Sequence, residues 1–226
     1  MEFMLDTANI PAIKRYVDTL PVSGVTSNPS IIKKEGSIDF FKHMREIREV
    51  IGAERSLHVQ VVADDYDGMM ADADAIVNHI DERVYIKVPV TEAGLKVIKS
   101  LKAKGRNVTA TAIYTKFQAY LAIAAGADYI APYFNRMENL NIDPTDAIRE
   151  MVNEIRRTGS STKVLAASFK NVGQVNAALE CGAQAATLGT DIFDQAFAMP
   201  SVSKAVSDFT KDWESVFSAG VTIADL

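Results

Sequence analysis

Lys87 sits inside the run VYIKVPV, residues 84–90, between Ile86 and Val88. A cationic side chain among apolar neighbours is costly unless it is paired or used. A desolvated lysine is also the usual protein amine that attacks a carbonyl. The same position suits a strand-end lysine that reaches water or a carboxylate, so Lys87 alone decides nothing. Side chains alternate along a strand, and residues two apart share a face. With Tyr85 and Lys87 as reference, that parity collects Asp6; Thr26 and Asn28; His58 and Gln60; Thr109 and Thr111; Tyr133 and Asn135; Ser168 and Lys170. The positions between them are mostly apolar: Leu5, Val25, Val59, Val61, Ile86, Val88, Ile130 and Leu165. Each buried polar group needs a partner, so a purely structural core avoids such a collection. Thr26 or Thr111 alone fits a satisfied structural group; the set points to a site. Its chemistry is that of a Schiff base: Lys87 condenses with a ketone, and Asp6 and Tyr133 move protons. Thr26, Asn28 and Ser168 bond hydroxyls, and Arg136 and Lys170 hold a phosphate. Arg136 alone reads equally as a solvated rim charge.

These residues need elements to bring them together. Strand-like and helix-like segments alternate along the chain. The strands are expected at 2–7, 24–28, 57–63, 84–90, 107–114, 128–135, 163–168 and 185–189. Helical patterns follow each, with Thr91 and Thr115 as N-caps, Asp143-Pro144 as a helix start, and Gly105 and Gly182 as stops. Such alternation implies right-handed βαβ units and a parallel sheet. Eight units in about 200 residues fit a closed (β/α)₈ TIM barrel. A doubly wound open sheet is the other candidate, but its glycine-rich phosphate loop is replaced here by DTANIPA after the first strand. In a parallel barrel chemistry sits at the C-terminal strand ends, where the polar set lies. Residues 1–200 are thus expected to form one catalytic barrel domain. Residues 201–226 form a C-terminal helix and tail. There Val202, Val206, Phe209, Trp213 and Val216 make one apolar stripe, which either caps the barrel's outer wall or docks on a neighbouring subunit.

Composition narrows the function. The chain has 226 residues, 48% hydrophobic and 23% charged, which marks a globular protein. A net charge of −5 offers no footprint for nucleic acid or an anionic membrane. One cysteine, Cys181, excludes an intrachain disulfide framework. No apolar run reaches membrane-spanning length. MEFMLDTA opens directly into a strand pattern, so the expectation is a soluble cytoplasmic protein. No metal site is expected: His43, His58 and His79 lack zinc-like spacing, and Asp64, Asp65 and Asp67 precede a helix, where capping suits them better.

Several motifs resemble the small transaldolase and fructose-6-phosphate aldolase family: LDTAN at 5–9, GVTSNPSII at 24–32, YIKVPVT at 85–91, TATAIY at 109–114, APYFNR at 131–136 and VLAASFKN at 164–171. The resemblance runs the length of the chain. It implies a class I mechanism without metal or organic cofactor, acting on a sugar phosphate. Lys87 would form the Schiff base and Asp6 would serve in proton transfer. Thr26 and Asn28 would position the donor, and Thr111 would help to hold a catalytic water. Arg136, Ser168 and Lys170 would hold the phosphate. Gln60 and Tyr133 match the aldolase branch, where transaldolases tend to carry glutamate and phenylalanine. A tyrosine hydroxyl can protonate the enamine left after cleavage, which phenylalanine cannot. The main expectation is therefore cleavage of fructose 6-phosphate to dihydroxyacetone and glyceraldehyde 3-phosphate. Transfer of the same unit to erythrose 4-phosphate in the pentose phosphate pathway is the alternative. A non-catalytic sugar-phosphate-binding barrel has little support. Thr109 and His58 depart from the aldolase pattern and are expected to reshape the donor pocket. The family also implies a homo-oligomer, a pentamer or decamer, with the C-terminal stripe as contact.

Overall fold

The computed structural model describes residues 1–226. Its eight strands are β1 (Glu2–Asp6), β2 (Val22–Thr26), β3 (Ser56–Gln60), β4 (Tyr85–Pro89), β5 (Asn107–Ile113), β6 (Tyr129–Pro132), β7 (Lys163–Ala166) and β8 (Ala185–Leu188). They pair in chain order and in parallel, and β8 closes on β1. The helices are α1 (Ile10–Thr19), α2 (Pro29–Ile32), α3 (Phe40–Ile51), α4 (Tyr66–His79), α5 (Glu92–Ala103), α6 (Lys116–Ala124), α7 (Phe134–Asn139), α8 (Pro144–Thr158), α9 (Val172–Glu180), α10 (Thr190–Phe197) and α11 (Pro200–Phe217). This is the TIM barrel that the alternation implied, with the additional C-terminal helix that the apolar stripe implied. None of the helices is long and apolar enough to cross a membrane.

The period of two explains which face each strand buries. Leu5, Val25, Val59, Ile86, Val88 and Ile130 point outward and join the helices in the main core cluster of 49 residues. The inward positions fill the barrel. At its N-terminal end Met4, Tyr129, Leu165 and Ala185 pack with Tyr85 into a plug. Glu2 ties this end together by accepting from Tyr129 Oη at 2.6 Å and from Lys163 Nζ. Above the plug the register sets Gln60, Lys87 and Thr109 side by side on β3, β4 and β5.

Several boundaries differ from the sequence pattern. Residues 134–135 belong to α7 rather than to a strand, so Asn135 leaves the barrel and accepts from Gln174 Nε2 at 3.2 Å. Strand β7 ends at Ala166, and Leu165 points inward with the plug. Ser168 and Lys170 are therefore placed by a loop and not by strand parity. Ser168 takes a φ of 64°, rare for a residue with a Cβ. The register of β5 against β6 shifts between Ala110 and Ile113, where Ala112 has a φ of 57°. Such a bulge turns an extra residue toward the barrel mouth. Helix α11 buries none of its residues, so its stripe does not cap the barrel wall. Val202, Val206, Phe209 and Val216 are exposed, while Trp213 stacks on Phe217 and donates Nε1 to the Val221 carbonyl.

The lysine-bearing strand is held by a close approach. Thr91 caps α5 by accepting from the Gly94 amide at 3.0 Å. This brings Gly94 against the end of β4, where an added Cβ would lie 1.9 Å from the Pro89 carbonyl oxygen. Gly94→Ala must therefore push α5 off the strand two residues beyond Lys87. Overpacking of this kind costs about 1–3 kcal/mol. Urea denaturation should show that loss; an unchanged midpoint would mean that α5 and β4 can separate freely.

Candidate active site

Side chains from the C-terminal ends of the strands, and from the loops and helices that follow them, enclose a cavity of about 490 Å³ at the C-terminal end of the barrel. Lys87 lies at its floor and is only 4% exposed. The single hydrogen bond of Nζ goes to the Ser27 carbonyl, at 2.8 Å. That carbonyl is fixed in turn, because the Ser27 amide donates to the His58 carbonyl at 3.0 Å. Burial pushes the lysine down from its ordinary value, and the Asp6 carboxylate partly restores it. A lowered lysine holds more free amine near neutral pH, the form that attacks carbonyls.

Asp6 stands at the end of β1. Burial pushes its carboxyl up, opposed mainly by the charge of Lys87 and by the Thr26 hydrogen bond. Thr26 Oγ1 donates to Asp6 Oδ1 at 2.7 Å and lies 2.7 Å from Thr187 Oγ1. The one proton of Thr26 goes to the carboxylate, so Thr187 donates to Thr26. Two buried threonines thus orient the acid. Tyr133, just past β6, lies with its hydroxyl 2.8 Å from Thr111 Oγ1. Burial raises this phenol, while Thr111 and Arg136 oppose the rise. A phenol kept protonated near a nucleophile can return a proton to it. Gln60 Oε1 is buried at the cavity wall with no partner in the chain. A buried acceptor left open beside a cavity is suited to water or ligand.

The rim carries the exposed charge. Asn28 caps α2 by accepting from the Ile31 amide at 3.0 Å and lines the cavity. Arg136, Ser168 and Lys170 line it from the β6 and β7 side, with both cations exposed. The geometry therefore gathers Asp6, Asn28, Gln60, Lys87, Tyr133, Arg136, Ser168 and Lys170 around one space, with Thr26 and Thr111 bonded to two of them. The cavity is also lined by residues that the parity set does not include, among them Thr187, Lys34, Ala112 and Asp191. Thr187 shares the inward parity of β8 and interrupts an apolar strand, as Lys87 does; that signal was readable. Lys34 sits on a single 3₁₀ turn, where no periodicity applies. Ala112 reaches the wall only because of its bulge.

Two expected pocket residues lie elsewhere. His58 and Thr109 are fully buried beneath the cavity and do not line it. His58 Nδ1 lies 2.8 Å from Thr109 Oγ1, Nε2 lies 2.9 Å from Ser56 Oγ, and the ring stacks on Tyr85. Burial, together with the charges of Lys87 and Arg48, drives this imidazole well below its ordinary value. The pair is a neutral layer under the lysine, not a wall of the donor pocket. No group of three His, Cys, Asp or Glu side chains is placed to hold a metal ion.

A family model described as transaldolase/fructose-6-phosphate aldolase matches residues 3–226. The chain belongs to this family. A relative from Streptococcus pneumoniae named "Probable fructose-6-phosphate aldolase" is 57% identical over 213 residues, covering 94% of this chain and 96% of its own length. The protein is thus an enzyme of the aldolase and transaldolase class, and a sugar phosphate fits the cavity's charge.

The buried lysine has a stability consequence. The folded Lys87 titrates below the ordinary 10.5. Between its folded value and 10.5 the unfolded chain binds one more proton, so stability rises with pH across that window. Replacing a buried charge by an apolar group of similar length relieves desolvation worth several kcal/mol, against about 1 kcal/mol for the bond to Ser27. Lys87→Met is expected to raise the apparent melting temperature at pH 7 by roughly 3–6 °C. The gain should shrink as pH approaches 10. A variant that melts below the parent at pH 7 would contradict the desolvated lysine.

Proposed function

We propose that the enzyme is a class I fructose-6-phosphate aldolase. It cleaves fructose 6-phosphate reversibly to dihydroxyacetone and glyceraldehyde 3-phosphate, and needs neither metal nor organic cofactor. Lys87 Nζ attacks the C2 carbonyl, water leaves, and an iminium forms. Asp6 takes the proton of the C4 hydroxyl as the C3–C4 bond breaks. Glyceraldehyde 3-phosphate departs, and the electron pair of the broken bond remains as an enamine on Lys87. Tyr133 returns a proton to C3, directly or through a water held by Gln60 and Thr111. Water then hydrolyses the iminium and frees dihydroxyacetone and the amine. Asn28 and Ser168 orient the donor hydroxyls, Thr26 does not reach them and instead orients Asp6, and Arg136, Lys170 and Ser168 hold the phosphate.

The observation that carries this reading is the Tyr133 hydroxyl, bonded to Thr111 in the same cavity as the buried Lys87. A transferase must keep its enamine unprotonated until an acceptor arrives, so a proton donor at this point favours the lyase. General acid help is worth about 10²–10⁴-fold, so Tyr133→Phe should slow release of free dihydroxyacetone by that much. Transfer to erythrose 4-phosphate should suffer less. The measurement is the ratio of the two products from fructose 6-phosphate, with and without the acceptor. An unchanged ratio in the variant, or parent turnover that depends on erythrose 4-phosphate, would instead identify a transaldolase of the pentose phosphate pathway. Borohydride with dihydroxyacetone should trap an adduct at Lys87 and at no other lysine.

The domain reading belongs to the same proposal. Residues 1–200 form the catalytic barrel, and residues 201–226 serve contact between subunits in a cytoplasmic pentamer or decamer. Its support is the exposure of Phe209 and Val216, at 70% and 72% on a helix with no buried residue. Deleting residues 201–226 should lower the mass seen by light scattering. A full-length protein that runs as a monomer at micromolar concentration would refute the contact.

A further inference from the structure

Arg136 is caught between two tyrosines. Its Nη1 donates to the Tyr114 hydroxyl at 3.1 Å. Its guanidinium carbon lies 4.9 Å from the centroid of the Tyr133 ring. The two rings meet edge to face, with centroids 5.5 Å apart and planes at 76°. Tyr114 is a firm post for this arrangement. It stands one residue past β5, packs against the main core, and donates its backbone amide to Gln118 Oε1 at 3.0 Å. It does not line the cavity, whereas Arg136 and Tyr133 both do.

Arg136 is an exposed side chain. Such a side chain carries about 2 kcal/mol of rotamer entropy, which a ligand must remove before it can use the charge. Here one phenol and one ring face have already restricted it. Neither partner is anionic, so the positive charge is left available toward the cavity. A carboxylate in place of Tyr114 would have ordered the arginine equally well but cancelled its charge.

We infer that Tyr114 is a positioning residue. It holds Arg136 over the Tyr133 ring, so that the aldehyde partner's phosphate meets an ordered guanidinium already in contact with the proton donor. This rests on the reading of Arg136 as a phosphate contact. It makes Tyr114 a determinant of the preference for phosphorylated over unphosphorylated aldehydes, although it touches neither.

The test uses the full-length enzyme in the direction of synthesis, with dihydroxyacetone fixed and either D-glyceraldehyde 3-phosphate or D-glyceraldehyde as acceptor. Tyr114→Phe keeps the ring and removes only the hydroxyl. It should raise KM for the phosphorylated aldehyde roughly five- to tenfold. KM for D-glyceraldehyde and kcat with either acceptor should stay near the parent values. Arg136→Ala should raise KM for the phosphorylated aldehyde on the order of a hundredfold. Tyr114→Phe added to it should then do nothing more, because the tyrosine acts through the arginine. Equal KM changes for both aldehydes, or additive losses in the double variant, would overturn the inference. If Arg136→Ala loses the preference while Tyr114→Phe retains it, the inference alone fails. If Arg136→Ala keeps the preference, the phosphate reading of Arg136 fails and takes the inference with it.

Discussion

One amine held out of water governs this structure. A parallel sheet closed on itself buries both faces of every strand, so Lys87 has nowhere to project except along the barrel axis. Its neighbours then face a conflict. Pairing the lysine tightly with a carboxylate would stabilise the ammonium form and quench the amine. Leaving it without any partner would make burial intolerable. The fold meets both demands with a backbone carbonyl, that of Ser27, as the one direct acceptor. Asp6 acts on the lysine through space, while its own oxygen is engaged by Thr26. The carboxylate thus moderates the lysine without forming a close pair. The neutral His58–Thr109 layer below adds no second charge to the problem.

The rest of the site is organised outward from that point. Polar groups near the floor are neutral or buried and held by hydroxyls; free cations appear only at the rim. Part of this arrangement is made with backbone that polypeptides avoid. Ala112 and Ser168 both have positive φ, each at a cost of about 1–3 kcal/mol. Both line the cavity. The large apolar core behind the strands lets the barrel carry those two residues.

Much of this arrangement is legible in the amino-acid sequence. Alternation by twos placed Asp6, Gln60, Lys87 and Thr111 correctly, because each lies inside or at the end of a regular strand. The same rule misled at Leu165: counting back from Ser168 assumed a strand that in fact stops at Ala166. It misled at Asn135 for a related reason, since α7 begins directly after Tyr133. Ala112 lies at a bulge, which no alternating pattern anticipates. Lys34 sits on one turn of 3₁₀ helix, too short for any period. Thr187 is legible by the argument applied to Lys87, as a polar residue at an inward position of an apolar strand. The spacing of Val202 to Val216 correctly marked an amphipathic helix, but what a stripe packs on is a property of assembly, and one chain carries no pattern for it.

The plug of Met4, Tyr85, Tyr129, Leu165 and Ala185 leaves the barrel with a single entrance. A ketose whose carbonyl reaches Lys87 must lie with its other half toward that entrance. Traffic through the site is therefore ordered like a cul-de-sac. Under the proposed cleavage the half nearest the rim leaves before the half nearest the floor, and anything arriving in the interval comes in from the rim toward an amine still occupied. In the proposed reaction that interval is when the fate of the retained fragment is decided, and the blind end of the barrel leaves the fragment no other way out.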